Sequence, residues 1–259
     1  MHDDWLIPNW PAPANVRALM TTRQGGGSAA PFDSFNTATH VDDAPAAVVA
    51  NRVLLRQALP TEPLWLNQIH GNAIARFDAA PNDNPSVPDA DASVAFEPGQ
   101  VCVVQTADCL PVLFCDAAGT VVAAAHAGWR GLAGGVLEET VRAMQVDPAN
   151  IMAWMGAAIG PNAFEVGDEV REAFVAQHPL TAVAFTPAFR PAFPGTLDET
   201  PRKWLADIYA LARIRLAAIG VEQVFGGGLC TFNDTARFYS YRRESRTGRM
   251  ASLIWLQTQ

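Results

Sequence analysis

Three apolar runs constrain this chain more than any other feature: Val101-Cys102-Val103-Val104, Pro111 to Cys115, and Val121 to Ala125, which ends at His126. A strand exposed on one face alternates apolar and polar residues, whereas a strand covered on both faces reads as an unbroken apolar run. Neighbouring runs of this kind need a layer of structure on each side. Helical periodicity supplies such layers at Leu132 to Met144, Gly167 to Gln177 and Pro201 to Ile219. The third helix is expected to open with Thr200 as N-cap and Pro201 at its first position, and to close at Gly220. These patterns predict a mixed α/β protein in which helices cover buried sheet.

Residues 1–259 read as one domain. That length can bury a large core without staples, and a hydrophobic content of 49% excludes extensive disorder. The Pro-containing stretches Phe77 to Pro88 and Thr186 to Thr200 read as surface loops within that domain. A net charge of -8 argues against a nucleic-acid partner, which requires a basic footprint. Four Cys in a chain of this length make no disulfide framework. The start, Met1-His2-Asp3-Asp4-Trp5, is acidic where a secretion signal is basic, and no apolar run reaches the ~18 residues of a membrane span. The expectation is a cytoplasmic protein with no membrane partner.

His2, His40, His70, His126 and His178 are the entire imidazole supply. A multicopper centre needs roughly twice that number, so one mononuclear site is the most the chain can furnish. Three segments carry the candidate chemistry: Trp65 to Asn72 around His70, Gln105 to Pro111 around Cys109, and His126-Ala127-Gly128-Trp129-Arg130-Gly131. Each sets a ligand-capable residue at the end of an expected strand, where α/β sheets open onto a crevice. His70, Cys109 and His126 make a His2Cys set, and three protein ligands with one open position is the layout of a catalytic zinc. The gaps of 39 and 17 residues match no zinc finger or ribbon. The same residues also suit a Cys109 nucleophile activated by His126 or His70 and oriented by Asp108 or another polar group. A hydrogen-bonded core histidine and a buried thiol are the blander alternatives, and Cys102 and Cys115 read as buried thiols.

Thr21 to Ser28 (TTRQGGGS) offers backbone amides for an anion, but it lacks the lysine of a P-loop and reads rather as a turn. Gly156 to Pro161 (GAAIGP) reads as a tight turn or a close backbone approach. Arg237, Arg242, Arg243, Arg246 and Arg249 concentrate positive charge near the C-terminus of an acidic chain, which suits phosphate or carboxylate if it is not spent on neighbouring acids. Lys203, the single lysine, falls in an expected helix without supporting context for Schiff-base chemistry.

Taken in order, T-T-R-Q-G-G-G-S, P-F-D-S-F-N, N-Q-I-H-G, T-A-D-C-L-P-V-L-F, H-A-G-W-R-G, A-I-G-P, C-T-F-N-D and F-Y-S-Y-R-R-E-S-R-T-G-R-M-A-S-L-I-W run nearly the length of the chain. They resemble the YfiH-type family, also called the multicopper polyphenol oxidoreductase (laccase-like) or peptidoglycan editing factor family. The resemblance implies an α-β-β-α layered sandwich with mixed sheets and one zinc ion held by His70, Cys109 and His126. It implies purine nucleoside phosphorolysis, including 5′-methylthioadenosine, together with adenosine deamination. The alternatives it brings are editing of a misincorporated amino acid in UDP-muramoyl peptidoglycan precursors and polyphenol oxidation, the last disfavoured by the histidine count. A small nucleoside and phosphate are then the partners. Catalytic roles fall to Cys109, His126 and Asp108, and substrate contacts to Arg23, Asn36, Gln68 and Arg242. The family commonly carries H-V-G-D-D where this chain reads His40-Val41-Asp42-Asp43, so the resemblance leaves His40 unassigned.

Overall fold

The structure, a computed structural model, describes residues 3–77, 87–188 and 203–258. The chain runs through β1 (Val16–Met20), α1 (Pro45–Arg56), β2 (Ile74–Arg76), β3 (Ala92–Ala95), β4 (Val101–Thr106), β5 (Leu110–Asp116) and β6 (Val122–Ala127). It continues through α2 (Trp129–Ala133), α3 (Val136–Met144), β7 (Ile151–Met155), β8 (Glu165–Gly167), α4 (Asp168–Val175) and β9 (Phe185–Pro187). The remainder is β10 (Lys203–Ala206), α5 (Ile208–Ala218), β11 (Gln223–Gly226) and β12 (Met250–Leu256).

The three apolar runs are strands, but they do not share one sheet. β4 lies in a three-stranded antiparallel sheet of order β1-β12-β4, whereas β5 and β6 are inside a mixed six-stranded sheet of order β11-β7-β5-β6-β3-β2. The two sheets stack, and strand alternation divides their side chains among three apolar layers. Cys102, Val104 and Ile254 from the small sheet meet Leu113, Cys115, Val122 and Ala124 from the large one. On the far face of the large sheet, Val112, Phe114, Ala123 and Ala125 pack with Leu137 and Val141 of α3, Phe174 of α4 and Leu211 of α5. On the far face of the small sheet, Val101, Val103, Leu253 and Trp255 pack with Leu55 of α1. The layers are therefore helix, sheet, sheet, helix, as the motifs imply. No helix of the described residues is long and apolar enough to cross a membrane.

Local expectations are corrected at three places. The helix expected over Leu132 to Met144 is two helices, because Gly135 takes a φ of 91° between α2 and α3. The helix expected from Pro201 begins only at Ile208, where the Asp207 carboxylate accepts from the backbone N–H groups of Tyr209 and Ala210. Lys203 to Ala206 form β10 instead, paired with β8 and β9, so tertiary pairing overrides a helical local pattern there. Thr200 and Pro201 lie outside the described residues, while Gly220 closes the helix at a φ of 88°, as expected. The loop expected over Thr186 to Thr200 starts inside β9, and its later residues, like 78–86 of the Phe77 to Pro88 loop, are outside the described residues.

Candidate metal centre and its cavity

The connection from β4 to β5 carries the chain from the small sheet to the large one. Asp108 sits at this crossing with a φ of 91°, a conformation that needs outside support. Its Oδ1 accepts from the Thr231 hydroxyl at 2.7 Å, its Oδ2 from the Arg242 N–H at 2.6 Å, and its carbonyl from the Ile159 N–H at 2.9 Å. Cys109 follows at once, just before β5. His126 stands on the neighbouring β6, opposite Pro111 in register.

His70 comes from the loop before β2 and has a φ of 60°. Its turn is held by Asp91, which is fully buried and whose carboxylate accepts from the N–H groups of Ile69 (3.2 Å), His70 (2.9 Å) and Gly71 (2.6 Å). The same carboxylate lies 2.8 Å from His126 Nδ1. Burial alone would raise the Asp91 carboxyl, but the His126 hydrogen bond and the Gly71 and His70 amides outweigh it and hold it below the usual range. Ionised, Asp91 only accepts, so Nδ1 carries a proton and Nε2 is the His126 nitrogen left for a ligand. One side chain thus fixes two of the three candidate ligands.

The ligand-capable atoms of His70, Cys109 and His126 lie within 4.8 Å of one another, and Cys109 Sγ is 3.9 Å from His70 Nε2. Donors sharing one tetrahedral zinc sit roughly 3.3–3.6 Å apart, given bonds of about 2.0–2.3 Å. The trio fits a single ion after a small contraction. Gly128 leaves the room: a Cβ there would stand 2.9 Å from His70 Cδ2 and 3.0 Å from Cys109 Sγ. Electrostatics match this chemistry. Burial opposes ionisation of the Cys109 thiol, yet the His126 charge and hydrogen bonds from both imidazoles pull it well below its ordinary value. Burial likewise opposes a charge on His126, and Cys109 and Asp91 together push that imidazole upward. By contrast, burial pushes the Cys102 and Cys115 thiols up to about 12, as suits core packing.

A cavity of about 540 Å³ opens over the trio, within the roughly 300–1,000 Å³ of small-molecule sites. Its walls include Trp129, Ile159, Phe164 and Tyr241, and the polar residues His40, Gln68, Asp108, Arg242 and Arg249. Gln68 pairs with the Gln105 backbone as a strand would, its amide donating to the carbonyl at 2.8 Å and its oxygen accepting from the N–H at 2.7 Å. Arg242 donates Nη1 to the Glu165 carbonyl at 2.7 Å.

Arg23 and Asn36 do not line this cavity. Arg23 is bound to Asp33 and the Thr235 carbonyl. Asn36 is fully buried, with its amide nitrogen on Ala38 and Asp43 and its oxygen accepting from the N–H groups of Ala38 and Arg249. The glycine-rich loop is closed by the chain itself, since the Gly26 and Gly27 N–H groups donate to Ser34 Oγ and Asn51 Oδ1. In the GAAIGP turn, Ala158 donates to the Tyr209 hydroxyl at 2.8 Å and Ile159 reaches the cavity. Of the arginine cluster, Arg237 pairs with Asp234, Arg243 braces the carbonyls of Thr231, Phe232 and Phe238, and Arg242 and Arg249 reach the cavity. The sequence marks Asp91 only weakly, as the second of two acids (with Asp89) leading into β3.

Comparison with known proteins gives the chain its family and relatives of the same fold. A family model described as multi-copper polyphenol oxidoreductase laccase matches residues 17–257. The chain is 57% identical over 253 residues to a Pseudomonas aeruginosa protein named purine nucleoside phosphorylase PA4543, covering 98% of each. It is 52% identical to the Escherichia coli purine nucleoside phosphorylase YfiH, covering 97% of this chain and 98% of that one. The crystal structure of Neisseria meningitidis protein NMB0706 superposes with a TM-score of 0.88 at 50% identity, covering 99% of this chain and all of the other. With matched motifs, matched fold and near-complete coverage, the chain belongs to the multi-copper polyphenol oxidoreductase laccase family, the family of the YfiH proteins.

Proposed function

We propose that this protein is a zinc-dependent purine nucleoside phosphorylase acting on adenosine, inosine, guanosine and 5′-methylthioadenosine, and that it also deaminates adenosine. The observation that carries the reading is the meeting, in one cavity, of the His70-Cys109-His126 trio, an aromatic wall and arginine side chains. Relatives matched along nearly the whole chain bear the name purine nucleoside phosphorylase. Two imidazoles and a thiolate with one open position form the donor set of a catalytic zinc. Among the described residues one such trio is found, which favours one zinc per chain over a copper cluster. Bound there, zinc supplies a Lewis acid and a water acidified to a pKa of about 7.

The chain's own residues bind and orient. Phe164, Trp129 and Tyr241 present ring surface to a purine. Gln68 keeps an amide hydrogen and a lone pair for a ribose hydroxyl, and Arg242 keeps donors for phosphate. Asp108 acts by holding the Cys109 turn and the Arg242 backbone in register. Asn36 acts from behind the cavity through the Arg249 N–H, while Arg23 braces Asp33 and the Thr235 carbonyl. In phosphorolysis a phosphate oxygen bonds to C1′ as the glycosidic bond breaks, and the purine leaves with a proton. In deamination a water oxygen replaces the C6 amino group, which leaves as ammonia.

A second reading draws on one specific feature, the Cys109-His126-Asp91 line. It has the nucleophile, base and orienting carboxylate of a thiol amidohydrolase, suited to removing a wrong amino acid from a UDP-muramoyl precursor. Incubation with adenosine plus phosphate, and separately with UDP-muramoyl-serine, decides between them. Phosphate-dependent release of adenine and ribose 1-phosphate is expected. Consumption of the muramoyl compound alone overturns the phosphorylase reading.

A further inference from the structure

We propose that Arg249, with His40 beside it, forms an oxyanion subsite of the cavity that takes the phosphate group; this rests on the phosphorylase reading. Several described arginines are paired with an acid: Arg23 with Asp33, Arg215 with Glu138 and Arg237 with Asp234. Arg249 is half-buried and has no carboxylate in salt-bridge reach among the described residues. The groups whose negative charge acts on it are Cys109, Asp108 and Tyr241, the last with its ring centre 5.9 Å from the guanidinium carbon. Both Asp108 oxygens are already held by Thr231 and the Arg242 N–H, and the Cys109 thiolate belongs to the candidate metal.

The guanidinium is positioned without being used up. Nη1 donates to the Thr247 and Gly248 carbonyls at 2.9 and 3.0 Å, and Nε and Nη2 make no hydrogen bond among the described residues. Its backbone is fixed as well, its N–H on Asn36 Oδ1 and its carbonyl on the Thr37 hydroxyl. A partly buried cation costs free energy unless an anion answers it. A braced fork with free donors at a cavity wall is suited to a tetrahedral oxyanion. His40 lines the same cavity. Burial first, then the charges of Arg249 and Arg52, depress its imidazole, so near neutrality it offers one N–H donor and adds no further charge. Thr106, whose buried hydroxyl lacks a partner among the described residues, lines the cavity too. Arg242 is exposed and tied to Glu165, so it assists from the rim.

The oxyanion has two possible sources, free phosphate or a phosphoryl group on a larger substrate. Calorimetric titration of the full zinc-loaded chain with inorganic phosphate, and separately with UDP, tests the subsite without turnover. Arg249→Gln should weaken the bound probe at least about tenfold. His40→Gln should weaken it by about two- to fivefold, and Arg249→Lys should lie between the two. Arg237→Gln removes the same charge from the same segment and should change neither affinity. Circular dichroism of each variant confirms folding, and His40→Gln carries the test if Arg249→Gln does not fold. Binding of UDP alone, sensitive to Arg249, keeps the subsite and assigns it to a larger substrate. Parent-like affinity in the Arg249 and His40 variants, or no binding of either probe by the parent, overturns the subsite. Ribose 1-phosphate formation is followed in parallel: its absence while phosphate binding still depends on Arg249 overturns the phosphorylase reading alone.

Discussion

The His70-Cys109-His126 corner and the Thr21 to Ser28 loop both look, as strings of residues, like places where the backbone wraps a ligand. They differ in where their polar groups point. In the loop, Gly26 and Gly27 spend their N–H groups on Ser34 and Asn51, and a Cβ at Gly26 would lie 2.3 Å from the Ser34 carbonyl oxygen. Gly26 there lets the chain approach itself. At the corner, Asp91 consumes the backbone donors of the His70 turn and one nitrogen of His126, and leaves the remaining ligand atoms facing one another. Gly128 there makes room for side chains that need a common neighbour. A functional glycine is recognised by what its missing Cβ would strike.

Substitutions can break or sharpen this contrast. Cys109→Ala has the largest expected effect: turnover falls to that of a protein-free control and the metal is lost, while the circular dichroism spectrum stays that of the parent. Retained turnover would show the corner to be idle. Asp91→Ala comes next, because it strands three backbone N–H groups and His126 Nδ1 in a buried site. Zinc affinity should fall by about 10- to 100-fold, read by chelator competition, with Asp91→Asn recovering part of the loss. Gly128→Ala intrudes on His70 and Cys109 directly. It should weaken zinc by about tenfold with little change in the urea midpoint, on the reasoning that only the ligand spacing is disturbed. Gly26→Ala should do the reverse, lowering stability by about 1–3 kcal/mol through overpacking while zinc content is unchanged. If Gly26→Ala stripped the metal, the two glycines would not be doing different jobs.

Much of this was legible locally. An unbroken apolar run announces a strand covered on both faces, and β4, β5 and β6 are all of that kind. His70, Cys109 and His126 were legible because soft ligands at strand ends are rare in a chain with few of them. The partition of β4 and β5 into different sheets was not, since it turns on the Asp108 crossing, held by Thr231 and Arg242 from far along the chain. Asp91 was hidden for the same reason: its partners are a loop 20 to 22 residues before it and a histidine 35 residues after it. Lys203 to Ala206 departs from its helical local pattern because pairing with β8 and β9 decides that segment, not its own propensity. Arg23 and Arg249 differ in a contact the sequence does not show: Asp33 occupies the former.

We propose that this corner holds one zinc ion. Metal analysis of the full chain purified without chelator, beside His126→Ala prepared identically, tests it most directly. About one zinc per parent chain and almost none in the variant is the predicted result. A metal-free parent with full turnover would contradict it.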